Sequence, residues 1–340
     1  MRPYDALLLV SFGGPEGADD VMPFLENVTA GRGVPKERLL EVAEHYHRFG
    51  GVSPINGQNR ALVAAIRADF ATHGVEIPVF WGNRNWHPTL REAIESMRDA
   101  GVTTALAVLT SAYASFSGCR QYLDAIERAR AEVGEGAPQI DRARQYFNHP
   151  GFVEPMADAV RAALASLPQT LAAQAHLAFV AHSIPTAMEA ASGPGGHLYT
   201  AQLEEASRLV AEAVGGGHPT SLSYCSRSGP PAMPWLEPDI NDRLAEIADS
   251  GAPAVVVVPV GFVSDHMEVV YDLDTEAAAT AAKLGLPFAR AATAGVDPRF
   301  VAMIRGLLLE RIGREPQRAL GVCGPAHDVC PEGCCQTRRG

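Results

Sequence analysis

The chain has 340 residues, 47% of them hydrophobic and 20% charged, with a formal net charge of −11. Such a composition and length suit a globular protein of two domains, and the acidity argues against nucleic acid as a main partner and against a polybasic membrane anchor. The apolar run Ala6–Val10 is too short for the core of a secretory signal, and Ala252–Val263 is too short to span a bilayer, so a cytoplasmic protein without a stable membrane anchor is expected. Short apolar runs that stop at Gly, Ser or Pro alternate with amphipathic stretches. Strands are expected over Asp5–Gly13, Ile77–Asn83 and Thr103–Tyr113, and helices over Asn59–His73, Leu90–Ala100 and Gln121–Val133.

After a join near Tyr146–Gly151, a helix is expected over Gly151–Ser166 and a strand over Ala175–Ser183. Helices over Thr200–Val214 and Asp239–Ser250 then alternate with strands over Thr220–Ser226, Ala254–Val263 and Phe288–Ala294. The β-branched run Val255-Val256-Val257-Val258 fits a strand buried on both faces. Alternation of this kind implies an α/β protein of two doubly wound, Rossmann-like domains with parallel sheets and a cleft between them. The domains are expected at residues 1–150 and 151–320, the last helix being free to pack back on the first domain, followed by a Cys-rich tail at 321–340. Ligands of such sheets gather beyond the carboxyl ends of the strands, which directs attention to where each strand stops.

Four strand-end constellations stand out. His182 closes Leu177–His182 and is followed by Ser183-Ile184-Pro185, where a buried imidazole keeps a lone pair for a proton or a metal. The segment from Pro259 to Glu276 places Glu268, Asp272 and Glu276 four residues apart, one row of carboxylates if the segment is helical. Like charges in a row oppose one another, and a cation path or proton relay accounts for them better than a solvated helix start does. The loop Gly50–Gly57 follows His45-Tyr46-His47-Arg48, where Tyr46 and Arg48 suit a flat anionic aromatic ligand. Ser111–Tyr122 supplies hydroxyls, aromatics such as Tyr113 and Tyr122, and Arg120. No GxGxxG after a strand, P-loop or GxSxG elbow is present, so nucleotide-dependent and acyl-transfer chemistry lose support. The tail carries Cys323, Cys330, Cys334 and Cys335, a thiol density that points to zinc or an iron–sulfur cluster.

With these segments in place, the chain resembles the ferrochelatase family over nearly its whole length. The resemblance rests on Ser11–Pro15, Gly50–Asn56, Ala181–Pro185 and Val260–Asp272. It is similar to the actinobacterial branch, which implies insertion of ferrous iron into coproporphyrin III, haem-pathway enzymes as partners, and a [2Fe–2S] cluster on the tail. Protoporphyrin IX or another tetrapyrrole as substrate, cobalt as metal, or a carrier without turnover are the alternatives. The resemblance implies that His182 and Glu268 handle metal and pyrrole protons with Asp272 beside them, and that Ser53, Tyr122, Tyr46, His45 and Tyr113 contact porphyrin. Where relatives carry an axial Tyr, Phe12 stands, which moves that role to Tyr122; where relatives draw a cluster ligand from the body, Met156 stands, so that either Cys119 substitutes or the four tail cysteines suffice.

Overall fold

The computed structural model describes residues 4–31, 33–229 and 232–336, so the last four residues of the expected tail lie outside the described residues. It forms two compact units. One comprises the chain up to Thr110 with Tyr122–Ala143 and Ser264–Met267; the other comprises Ser111–Gln121, Arg144–Val263 and the chain from Glu268 on.

The first unit runs β1 (Ala6–Ser11), α1 (Val21–Val28), α2 (Lys36–His47), α3 (Ile55–Thr72), β2 (Val79–Asn83), α4 (Leu90–Asp99), β3 (Thr104–Leu109), α5 (Gln121–Val133) and β4 (Gln139–Arg142). Its strands are parallel in the order β2-β1-β3-β4. Every residue of β1 is buried, as an apolar run covered on both faces must be. α4 shows how sequence becomes packing. Thr89 accepts from the Glu92 N–H in a capping box, and Leu90, Ala93, Ile94 and Met97 then fall on one buried stripe. Each large side chain of that stripe contributes about 1.5–3 kcal/mol relative to exposure.

The second unit runs α6 (Pro150–Ser166), α7 (Gln169–Ala172), β5 (His176–His182), α8 (Thr186–Ala190), α9 (Leu198–Val214), β6 (Thr220–Cys225), α10 (Ile240–Asp249), β7 (Val255–Val258), α11 (Met267–Val270), α12 (Ala278–Lys283), β8 (Phe288–Arg290) and α13 (Pro298–Arg311). Its strands, again parallel, lie in the order β6-β5-β7-β8, the same plan as the first sheet. α13 packs on α6 of its own unit, where the sequence left it free to return to the first domain.

In each sheet the chain goes from its first strand to the neighbour on one side and then crosses to the other. The winding therefore reverses between β1 and β3 and between β5 and β7, and ligands of such sheets gather at the carboxyl ends of the strands there. Some elements differ from expectation for local reasons. β7 stops at Val258 instead of Val263 because Pro259 has no N–H to continue the ladder, and the chain turns with Val260 N–H donating to Val258 O. His45 and Tyr46 lie in the last turn of α2, not in a loop. β4 was not expected at all, since Gln139-Ile140-Asp141-Arg142 offers one apolar side chain to an edge strand.

Candidate active site

His182 is the last residue of β5, and its register partner on β6 is Cys225. Its Nδ1–H donates to the Ser183 carbonyl, which leaves Nε2 facing Glu268 Oε1 at 3.4 Å. The side chains are 31% and 43% exposed, so the pair is sheltered yet reachable. Burial pushes the imidazole pKa down. The Glu268 carboxylate, the Ser183 carbonyl and Asp272 push it up and prevail, lifting it to about 9. At neutral pH His182 is an imidazolium paired with Glu268. A dication arriving at Nε2 would expel that proton and take the lone pair.

Glu268 lies in α11, and Asp272 opens a π-helical turn, Asp272–Ala277, in which Glu276 N–H donates to Tyr271 O at 2.9 Å. A wider turn still brings residues four apart to roughly one line, so the carboxylates keep the order read from their spacing. Such turns concentrate at functional sites. Burial raises Asp272, the Ser226 hydroxyl that donates to it lowers it, and Glu268 and Glu276 raise it further, to about 7. Ser226 stands in the left-handed region at φ 63°, which aims its hydroxyl back at the row. Glu276 is exposed at the far end. Asp274, off the row, is paired with Arg290 at 2.7 Å. The second switch point thus holds a half-buried imidazole and a carboxylate within reach of one small cation or proton, with a second carboxyl group poised near neutrality behind them.

The first unit holds four of the expected porphyrin contacts. Ser53 is buried with its N–H donating to Pro15 O, and His45 and Tyr46 are half-buried on α2, Tyr46 against Phe24 at 6.0 Å. Tyr122 is 5% exposed and belongs to the core formed by β1, β3, α4 and α5. The Arg84 guanidinium lies 4.6 Å from the Tyr122 ring centroid and 5.6 Å from that of Phe12. The ring read as an axial ligand is therefore a core ring capped by a cation. Tyr113 corrects the sequence reading more plainly. It is 2% exposed and its hydroxyl donates to Val260 O at 2.7 Å, so it is a core group of the second unit and not a wall against a ligand.

The tail gathers His327, Cys330 and Cys334, whose donor atoms all lie within 4.8 Å of one another. Cys335 Sγ lies 3.7 Å from Cys334 Sγ, and both thiols are buried against Ala114. Burial, Cys335 and Cys330 push the Cys334 thiol up to about 12. Cys119 accepts from Gln145 at 3.2 Å, and Cys323 is exposed beside Glu205. Sequence reasoning missed His327, Ser226 and Tyr199. Only His327 carried a readable signal, an imidazole between two cysteines.

A family model described as ferrochelatase matches residues 4–312. The coproporphyrin III ferrochelatase of Streptomyces griseus is 56% identical over 99% of this chain and 94% of that protein. A ferrochelatase of Rhodopirellula baltica is 52% identical over 98% of this chain and 94% of that protein. Among solved structures, SirB from Bacillus subtilis with Fe3+ matches with a TM-score of 0.53 at 13% identity, over 92% of this chain and 98% of that one, a likeness of fold alone.

Proposed function

This chain belongs to the ferrochelatase family, and we propose that it inserts ferrous iron into coproporphyrin III with release of the two pyrrole protons. The observation that carries the reading is the His182–Glu268 pair, 3.4 Å apart at a strand-end switch point and backed by Asp272. Metallation needs a site where Fe2+ sheds water as pyrrole nitrogens give up protons, and imidazole and carboxylate suit both tasks. His182 acts at the macrocycle. Glu268 links it to the carboxyl row, where Asp272, close to half-protonated at neutral pH, passes protons outward or receives the cation. Tyr46 and His45, half-buried on α2, keep the porphyrin-contact role that the resemblance implies for them.

The tail's donors, the His327 imidazole and the Cys330 and Cys334 thiols within 4.8 Å of one another with Cys335 beside Cys334, fit a thiophilic centre. Cys330, Cys334, Cys335 and His327 would hold the [2Fe–2S] cluster, which supplies one-electron redox capacity or a rigid cross-link when bound. An absorption spectrum with bleaching by a reductant, and equal iron and acid-labile sulfide, is the expected result; a colourless protein containing zinc would refute the cluster. For the reaction, the purified protein is incubated anaerobically with Fe2+ and either coproporphyrin III or protoporphyrin IX and followed by absorbance. Faster metallation of coproporphyrin III is expected. Preference for protoporphyrin IX would overturn the substrate, and tight porphyrin binding without metallation would overturn the enzyme.

A further inference from the structure

Two buried tyrosines sit behind the active pair. β5 and β7 pair only as far as Phe179 opposite Val258, because Pro259 ends the ladder. The Val180 carbonyl still finds a donor, the Gly261 N–H at 3.0 Å. Carbonyls two residues apart on a strand point the same way, so that of His182 also faces the side where β7 has turned aside. A carbonyl at that depth needs a donor, and the ladder has none to offer. Tyr199, in the first turn of α9, supplies it. Its hydroxyl donates to His182 O at 2.8 Å, and its own N–H is fixed by the Ser192 hydroxyl at 2.9 Å.

The other side of the same break is held in the same manner. Tyr113 donates to Val260 O at 2.7 Å, in the turn from which the chain runs on to Glu268. The two rings meet edge to face, 6.2 Å apart at 85°, and are 7% and 2% exposed. Phe147 and Phe152 back Tyr113 at 6.4 Å each. The end of the strand that carries His182 and the turn that leads to Glu268 are thus joined through two phenols in contact, in place of the ladder bonds that Pro259 removes.

We propose that Tyr113 and Tyr199 are positioning residues that form one clamp and set the separation of His182 and Glu268 for metallation. Neither touches the reacting atoms. Burial holds both phenols well above their ordinary range, so both remain donors at neutral pH. The inference rests on His182 and Glu268 being the reacting pair.

The test is steady-state iron insertion by Tyr199→Phe, Tyr113→Phe and the double variant, each checked for its thermal midpoint. Tyr146→Phe serves as the control, being a buried tyrosine of the same cluster that packs on Phe152 and Phe300. Loss of the Tyr199 hydroxyl should lower kcat about tenfold with KM for porphyrin and Fe2+ within about twofold, as expected for small misplacement of a reacting group. The double variant should lose less than the product of the two single losses, the mark of residues acting as a unit. The control should keep kcat within about twofold. The clamp is overturned if Tyr199→Phe keeps full kcat, if its loss falls in KM, if the control loses as much, or if the two single losses multiply. His182→Ala is run alongside. Full turnover there would refute the active pair itself, whereas its inactivity beside a fully active Tyr199→Phe would refute the clamp alone.

Discussion

At the switch point of the first sheet the buried polar groups are amides. Asn56 donates to Gly14 O and His87 O, Asn83 donates to Asn56 and His87 O, and Asn59 donates to the Ser11 hydroxyl. At the switch point of the second the polar groups are a part-exposed imidazole and carboxyl groups. The backbone plan is otherwise shared, down to a glycine in each turn that has no room for a side chain. A Cβ on Gly14 would lie 2.7 Å from Ser53 Cβ, and one on Gly261 would lie 2.6 Å from Ala181 Cα, next to His182. Amides hold a loop in one shape at every pH, whereas an imidazole and carboxylates exchange protons and cations near neutrality. One scaffold used twice therefore carries a pH-insensitive amide network in one unit and reactive groups in the other.

The largest expected effect separates these two roles. His182→Ala should lower iron insertion about 10³-fold, within the range for loss of a proton-transferring group, while porphyrin binding followed by fluorescence quenching survives. Its counterpart, Asn56→Ala, should cost about 1–3 kcal/mol in urea unfolding by orphaning buried polar groups, with kcat retained. An Asn56→Ala enzyme that folds but has lost turnover would erase the division between the units. Gly261→Ala comes next. Its new methyl meets backbone that cannot yield, so it should cost about 1–3 kcal/mol and lower kcat by displacing the strand end. Asp272→Asn should act more mildly. It keeps the Ser226 hydrogen bond but not the charge, so the Fe2+ concentration for half-maximal rate should rise several-fold, and an unchanged metal dependence would remove Asp272 from the row's function.

The plan of the fold was legible because strands buried on both faces are continuous apolar runs. β1, β5 and β6 fall within two residues of where their sequences place them at either end. α2 was legible too, its Leu39 and Ala43 lying four apart on a buried stripe, but it was read as the approach to a loop. The π turn was not legible, since nothing in Asp272–Ala277 departs from an ordinary helical pattern and tertiary packing makes the choice. For the site, His182 and Glu268 could be found because each follows the end of an apolar run. The role of Tyr113 could not. An aromatic hydroxyl in a strand-end loop reads the same whether it faces a ligand or a neighbouring carbonyl, and only the break in the β5–β7 ladder decides.

The contrast between amides and ionisable groups extends beyond the switch points and gives the smallest effect. Behind the active pair, the second unit buries Arg144 against Glu310 at 2.8 Å, with side chains 1% and 2% exposed, and caps α6 with His149, which accepts from Gly151 N–H at 2.9 Å. Burial, then the Arg144 and Arg318 charges, lower His149 from the usual histidine value of 6.5 to about 3. Its folded pKa is depressed, so between 6.5 and about 3 the unfolded chain binds the proton that the folded one refuses, and stability is lost as pH falls through that window. His182 is shifted the other way, and its contribution is present below 6.5 and fades only as pH rises through about 9. Acidification from pH 7 should therefore weaken the second unit around His149, by about 1 kcal/mol per pH unit below 6.5, while Asp272, raised to about 7, gains stability over the same window and offsets the loss for the unit as a whole. Hydrogen exchange should show this as earlier loss of protection at the start of α6 than in α3 or α4. His149→Asn keeps a capping acceptor without the titration and should flatten that acid limb. If α3 and α4 open at the same pH as α6, or the variant melts along the parent's pH curve, the acid sensitivity does not arise at His149.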